Sequence, residues 1–166
     1  MIQKNMDSLS MWFFDFFLKK KEIFHFVSTR TGGYSRSPYG SLNLGFHVGD
    51  GPDIVLKNRE KLALETGIPL RSFVTVKQVH GNHVKVIKEK TQENSFVYHK
   101  EEIDEADAMV SDIKGICLVI FLADCVPIVF FDSFKKVIGL AHAGWKGTIQ
   151  SIAKKTVEVF KTEFGC

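Results

Sequence analysis

The pattern of apolar and polar positions along the chain predicts a set of short strands. Two alternating runs, at residues 73–80 and 83–89, are joined by Gly81 and Asn82, whose chemistry suits the tight turn of a β-hairpin. Residues 116–123 form a continuous β-branched and aromatic run, which is typical of a strand buried on both faces. Further strands are predicted at residues 23–29, 128–131 and 136–142, the last two paired around Asp132-Ser133.

Two helices are predicted between these strands. The first spans residues 52–66, because Pro52 suits a first helical turn and Gly67 suits a C-terminal stop. The second spans residues 148–164, whose apolar positions share one helical face, and Gly165 follows as its stop. Together these elements predict an α+β fold, a layered mixed or antiparallel β-sheet sandwich flanked by helices, in a single domain.

Three segments stand outside this pattern. Residues 11–17 are apolar and aromatic apart from Asp15, and we expect them to pack on the core or on a partner. Residues 30–51 are rich in Gly, Ser, Asn and Pro, and a loop of this length is typically functional. Residues 90–104 are polar, which predicts a surface excursion.

Composition narrows the possible partners and location. The length of 166 residues fits one domain. The net charge of +3 is only mildly basic and no Lys/Arg stripe is evident, so we expect no nucleic-acid partner. No segment approaches the roughly 20 apolar residues of a membrane span, so we expect no membrane association. Three cysteines do not form a disulfide framework, and free thiols suit a reducing, cytoplasmic location.

Three chemically active side chains lie at the ends of predicted strands or just after them, beside glycine or proline. They are His80 in Gln-Val-His-Gly, Cys125 in Ala-Asp-Cys-Val-Pro and His142 in Ala-His-Ala-Gly-Trp. A thiolate and two neutral imidazoles suit zinc, and three protein ligands leave a position for water or substrate. The same residues would also serve as a cysteine nucleophile with a histidine base, or as two core histidines and a buried cysteine. The residues by themselves leave these alternatives open.

Several longer motifs carry a resemblance to a known family. They occur in one order across residues 28–147 and read Ser-Thr-Arg-Thr-Gly-Gly-Tyr-Ser from 28, Ser-Leu-Asn-Leu-Gly from 41, His-Val-Gly-Asp from 47, Asn-Arg from 58, Gln-Val-His-Gly from 78, Ala-Asp-Ala from 106, Ala-Asp-Cys-Val-Pro from 123 and His-Ala-Gly-Trp-Lys-Gly from 142. The chain therefore resembles the YfiH-like family, also called the laccase-domain or multicopper polyphenol oxidoreductase family, whose members are described as purine nucleoside phosphorylases.

The resemblance implies a metal and a reaction. It implies that His80, Cys125 and His142 bind catalytic zinc, with copper as the less favoured ion. It implies phosphorolysis of adenosine, inosine, guanosine and methylthioadenosine, together with adenosine deamination. Six histidines and three cysteines are too few for the many ligands of a multicopper oxidase.

Two departures from the family pattern matter. Lys146 replaces the family's arginine, which keeps the charge but loses the bidentate fork. The family also continues beyond the point where this chain ends. We therefore divide the chain into an N-terminal amphipathic extension at residues 1–22 and a YfiH-like catalytic domain at 23–166, truncated at its C-terminal side. Self-association is the expected way to cover the truncated face.

The resemblance also places substrate contacts. Arg30 is expected to bind phosphate or ribose, with a surface arginine as the alternative. Asn43 is expected to orient the ribose or the metal-bound group, or only to close a turn. His47 is expected to contact substrate or to be structural. Trp145 would stack on the purine or form part of the core, and Lys146 would attract phosphate.

Two aspartates receive different roles. Asp124 is expected to orient a zinc-binding histidine or to shuttle protons during deamination, with a strand-end cap as the alternative. Asp107 is interpreted as structural.

Two other functions compete with the phosphorylase. Cys125 suits a Cys–His hydrolase or amidase that edits peptidoglycan precursors, a role suggested for relatives. The short C-terminal side suits an inactive remnant or a binding module.

Overall fold

The computed structural model describes residues 1–89 and 104–166, and these divide into two compact units, Met1–Leu70 and Arg71–Cys166. Each unit is described by itself. The surface excursion predicted at residues 90–104 lies outside the described residues except for its last position.

The first unit begins with a three-stranded antiparallel sheet. Its strands are β1 (Ile2–Met6), β2 (Leu9–Phe13) and β3 (Val27–Ser28), in the order β1-β2-β3. Alternate side chains of β2 are buried, namely Leu9, Met11 and Phe13. These three apolar side chains of β2 form part of the core. A short helix, α1 (Asp15–Leu18), follows β2. The strand predicted at residues 23–29 is real only over Val27–Ser28.

Helix α2 (Pro52–Thr66) completes the first unit and confirms the predicted bounds. Pro52 lies in its first turn, where its missing N–H needs no partner, and Gly67 ends it at φ 67°. Between β3 and α2 the chain forms the long loop, with one turn of 3₁₀ helix at Phe46–Val48.

The second unit follows a 3₁₀ turn at Leu70–Ser72 and contains two sheets. Strands β4 (Phe73–Thr75) and β7 (Cys117–Val119) form a parallel pair. The larger sheet has the order β5-β6-β9-β8, with β5 parallel to β6 and the other neighbours antiparallel. Its strands are β5 (Val84–Val86), β6 (Ala108–Ser111), β8 (Val126–Asp132) and β9 (Val137–Ala143).

The predicted hairpin at residues 73–80 and 83–89 is wrong. Its two strands exist only as the short β4 and β5, and they belong to different sheets. The intervening backbone turns away at His80, which has φ 59°, and is held by hydrogen bonds to Asp107. The predicted strand pair at residues 128–131 and 136–142 is confirmed as the β8–β9 hairpin. The strand predicted at 116–123 shortens to β7, which is half-buried.

The predicted helix at residues 148–164 is two helices, α3 (Trp145–Ile149) and α4 (Ile152–Phe164). The break lies at Ser151, which adopts the left-handed conformation at φ 62°. Gly165 ends α4 at φ 65°, as predicted. Ile152 and Phe160 of α4 are buried against strands of the larger sheet. None of the helices described is both long and apolar enough to cross a bilayer.

Candidate metal centre

Three side chains from separate parts of the second unit converge at one point. His80 lies in the loop after β4, Cys125 immediately precedes β8, and His142 lies near the end of β9. One potential ligand atom from each, an imidazole nitrogen or the Cys125 sulfur, lies within 4.8 Å of the other two. The His80 and His142 rings meet edge to face, with centroids 4.8 Å apart. The cluster is exposed at His80, half-buried at Cys125 and buried at His142.

One buried carboxylate organises both histidines. Asp107, which has no exposed surface, precedes β6. Its Oδ1 accepts hydrogen bonds from His142 Nδ1 at 2.8 Å and from the His80 backbone N–H at 2.9 Å. Its Oδ2 accepts from the backbone N–H groups of Val79 at 3.2 Å and Gly81 at 2.6 Å. Asp107 therefore holds the His80 loop and the His142 ring together.

Glycines allow the backbone to approach the cluster closely. A Cβ at Gly144 would lie 3.2 Å from Cys125 Sγ and 3.3 Å from His80 Cδ2. A Cβ at Gly147 would lie 2.7 Å from the carbonyl oxygen of Gly81, which is shorter than carbon–oxygen contact permits. The glycines of the His-Ala-Gly-Trp-Lys-Gly motif thus let α3 pack beside the His80 loop.

Electrostatics differ between the carboxylate and the thiol. Burial of Asp107 opposes its ionisation, but hydrogen bonds from His142 and three backbone N–H groups outweigh it and lower the pKa. Burial, followed by the nearby charge of Asp124, raises the pKa of the Cys125 thiol. Cys125 Sγ donates a 3.7 Å hydrogen bond to Asp124 Oδ1. A raised pKa favours the neutral thiol over a thiolate nucleophile.

The donor set fits zinc. Two imidazole nitrogens and one sulfur are borderline-to-soft ligands, and tetrahedral zinc separates such atoms by about 3.5 Å. The observed separations of at most 4.8 Å are close to that spacing. Because the Asp107 carboxylate accepts from His142 Nδ1, the Nε2 lone pair of His142 remains available as a metal ligand.

Further predicted residues of the second unit lie beside the ligands in sequence. Asp124 is exposed, and its recorded contact is with the Cys125 thiol rather than with a histidine. Trp145 begins α3 with 71% of its surface exposed. The ammonium of Lys146 lies 5.6 Å from the centroid of the Trp145 ring. Trp145 and Lys146 thus present an exposed aromatic face and a positive charge three and four positions after His142.

The three predicted residues of the first unit lie in its long loop. Arg30 is exposed and its Nε donates to the Gly40 carbonyl oxygen at 3.0 Å. Asn43 Oδ1 accepts from the Gly45 N–H at 3.0 Å and its Nδ2 donates to Asp50 at 3.1 Å, so its side chain closes the turn. His47 is exposed in the 3₁₀ turn.

Two residues acquire a larger part in the structure than their sequence motifs indicate. Asp107 is structural, as interpreted from the sequence, and its carboxylate also contacts the His142 ring directly. Orienting a histidine in this way was the role expected of Asp124. Asn58 is fully buried and organises the first-unit loop, donating to Ser35 Oγ at 2.9 Å and to the Asn43 carbonyl oxygen at 2.8 Å. Both residues occur within motifs that carry the family resemblance, Ala-Asp-Ala from 106 and Asn-Arg from 58, and those motifs were the sequence signal for them.

Comparison with known proteins places this fold and cluster in a family. Residues 24–166 match the family described as multi-copper polyphenol oxidoreductase laccase. The chain belongs to this family, which confirms the resemblance read from the motifs.

Individual relatives agree with that assignment. Purine nucleoside phosphorylase YlmD of Bacillus subtilis (strain 168) is 34% identical over 145 residues, covering 87% of this chain and 52% of the relative. Adenosine deaminase RL5, from an unknown prokaryotic organism, is 35% identical over 144 residues, covering 87% of this chain and 55% of the relative. The crystal structure of the hypothetical protein YfiH from Bacillus licheniformis has a TM-score of 0.87 at 28% identity, covering 98% of this chain and 60% of that one. The chain thus spans about half the length of the curated relatives it matches, and its α+β fold class is confirmed.

Proposed function

We propose that this chain is a zinc-dependent purine nucleoside phosphorylase acting on adenosine, inosine, guanosine and methylthioadenosine. The observation that carries the proposal is the convergence of His80, Cys125 and His142 within 4.8 Å. The name of the Bacillus subtilis relative supports the reaction. We propose zinc rather than copper because two imidazoles and one thiol among the described residues match the number and kind of protein ligands used by catalytic zinc sites.

The proposed ligands are His80, Cys125 and His142. A zinc ion held by them would act as a Lewis acid and would lower the pKa of a bound water. The protein's part would be to present the three ligand atoms and to leave the cluster accessible to solvent at His80. The graded exposure, from His80 at the surface to His142 in the core, supports access from one side.

Phosphorolysis itself requires a phosphate oxygen to bond to C1′ of the ribose while the bond from C1′ to the purine nitrogen breaks. The purine leaves with the bonding electron pair and takes up a proton, and ribose 1-phosphate is released. In our proposal Trp145 stacks on the purine, and Lys146 and Arg30 attract the phosphate. The exposed ring of Trp145 supports its part, because a purine needs an uncovered aromatic face.

Two residues of the first-unit loop are proposed as further substrate contacts. We propose that His47 contacts substrate, which its exposed position allows. The Oδ1 and Nδ2 atoms of Asn43 already form hydrogen bonds within the loop. We therefore propose that Asn43 contacts the ribose only through hydrogen-bonding capacity that its turn leaves unused.

Adenosine deamination is the second candidate activity, and the name of the relative RL5 favours it. The reaction replaces the amino group at C6 of the purine with an oxygen from water and releases ammonia. Asp124 is the proposed proton carrier, because its carboxylate lies beside the Cys125 thiol and is open to solvent.

Proposed partners are purine nucleosides, phosphate and a second copy of the chain. Dynamic light scattering over a concentration range tests the last of these. A scattering size that stays monomeric at every concentration would remove self-association.

The central test measures bound metal and phosphate-dependent release of hypoxanthine from inosine on the same purified protein. We expect about one zinc per chain, with hypoxanthine appearing only when phosphate is present. Cys125→Ala should lose both. Cys166→Ala is the matched control, because it removes a half-buried thiol that packs against Val110, Val137 and Phe160 rather than belonging to the proposed ligand set.

Other outcomes identify the competing functions. Hydrolysis of peptidoglycan-type amides that survives metal removal but not Cys125→Ala would favour the Cys–His hydrolase. Stoichiometric zinc without any base release would favour an inactive remnant or binding module. Copper in place of zinc would favour the ion in the family's name.

A further inference from the structure

We infer that Asp107 positions both histidines of the metal centre through a single carboxylate, and thereby sets how tightly the centre holds its metal. The inference rests on the proposed metal site. It assigns Asp107 a positioning role, acting through the two histidines rather than on the substrate.

The two carboxylate oxygens of Asp107 accept hydrogen bonds from different groups. Among the residues that the structure describes, Oδ2 accepts from the loop backbone at Val79 and Gly81. Oδ1 accepts from both the backbone of His80 and the ring of His142. A shift of this carboxylate therefore displaces one ligand through its backbone and the other through its ring, which couples the two.

The His80 loop needs such an anchor. His80 adopts φ 59°, a left-handed conformation that residues with a Cβ rarely take without support. Hydrogen bonds from the backbone N–H groups at positions 79, 80 and 81 to one carboxylate provide that support.

The His142 ring needs a defined tautomer. An ionised carboxylate can only accept, so the Asp107 contact requires the proton on His142 Nδ1 and leaves Nε2 to bind metal. Both groups are buried, His142 at 3% exposed and Asp107 at none, so water does not compete well for this hydrogen bond.

Asparagine cannot reproduce this arrangement. Its single oxygen can replace either Oδ1 or Oδ2, and its NH₂ group would then face N–H donors on the other side. Asp107→Asn therefore leaves either His142 or the loop backbone without an acceptor, although its size and shape are nearly unchanged.

The experiment compares Asp107→Asn with Asp132→Asn. Asp132 is a matched control, because its Oδ1 accepts from the backbone N–H groups of Phe134 and Lys135 at 2.8 Å in the β8–β9 turn. None of its partners within the described part of the chain is a proposed metal ligand. Zinc dissociation constants are measured by competition with a chelator, and folding is checked by circular dichroism. We expect Asp107→Asn to raise the constant about 10–100-fold and Asp132→Asn to change it less than about twofold.

A second measurement uses the unmodified protein without metal. Long-range ¹H–¹⁵N NMR spectra report the tautomer of each histidine, and His142→Ala assigns the relevant signals. We expect the proton of His142 on Nδ1. This readout stands even where Asp107→Asn fails to fold, and a merely space-filling aspartate would not determine it.

The outcomes separate this inference from the proposed function. Zinc affinity unchanged in a folded Asp107→Asn variant, or a His142 proton on Nε2, overturns the role of Asp107. Absence of zinc binding by the unmodified protein overturns the metal site instead, and the tautomer measurement then decides on Asp107 alone.

Discussion

The three cysteines of the chain occupy different environments at the residue scale. Cys125 lies in the cluster with His80 and His142, Cys166 packs at the end of α4, and Cys117 lies in β7. Burial raises the pKa of Cys117 to about 12. Because only the thiolate reacts with alkylating reagents, Cys117 should react more slowly than a cysteine with an ordinary pKa.

We expect iodoacetamide at pH 9 to leave Cys117 unlabelled in the folded protein. With its pKa at about 12, the thiolate is only ~0.1% of Cys117 at that pH, whereas unfolding restores an ordinary thiol. Raising the pH should increase labelling, since the raised pKa keeps the group protonated at lower pH. Peptide mass mapping with and without guanidinium measures this, and equal labelling of Cys117 and Cys166 in the folded protein would refute it.

The acidic neighbour of Cys125 gives a second residue-scale prediction. Asp124→Asn should reduce adenosine deamination about 100-fold or more, because it removes the proposed proton carrier without changing the metal ligands. Ammonia release measures the rate, and zinc content should stay the same. Asp112→Asn, another exposed aspartate, is the control. A full deamination rate in Asp124→Asn would remove that carboxylate from the mechanism.

Helix ends and turns carry the strongest signals at the scale of elements. Proline and glycine mark both ends of α2, and the β8–β9 hairpin turns where Asp132 accepts from Phe134 and Lys135. The break between α3 and α4 carries no such signal, because Ser151 adopts φ 62° without being glycine. It follows from packing, since α3 lies beside the His80 loop at Gly147 while α4 packs on β9.

The helix break yields a stability prediction. Ser151→Gly should raise the free energy of unfolding by about 0.5–1 kcal/mol, because glycine takes the left-handed conformation without steric cost. Ser151→Ala, which keeps a Cβ, is the control and should give no such gain. Urea unfolding monitored by circular dichroism measures both. A Ser151→Gly variant less stable than Ser151→Ala would show that the left-handed conformation at position 151 does not lower the free energy of unfolding.

At the scale of the whole molecule, zinc should stabilise the second unit. The ion would join the His80 loop to β8 and β9, and a ligand that binds only the folded state shifts the unfolding equilibrium. At free zinc 100-fold above the dissociation constant, we expect a gain of about 2.7 kcal/mol. Differential scanning calorimetry with zinc, and with calcium as a control ion, measures the effect. A gain that persists in Cys125→Ala would place the binding elsewhere.

Much of the architecture could be predicted because its signals are local. The bounds of α2, the β8–β9 hairpin and the stop at Gly165 depend on residues within a few positions of each other. The choice of His80, Cys125 and His142 as a set came from strand ends beside glycine or proline. The family resemblance rested on several motifs in one order.

The sequence by itself determined the bounds of α2, the β8–β9 hairpin, the family that the chain joins and the three side chains considered as ligands. Tertiary structure alone decided that β4 and β5 part into different sheets, that one predicted helix becomes two, and that Asp107 rather than Asp124 contacts a histidine. The physical reason is range. Caps and turns are satisfied by neighbours along the chain, whereas the Asp107 carboxylate takes its partners from segments around positions 80 and 142, which only the folded backbone brings together.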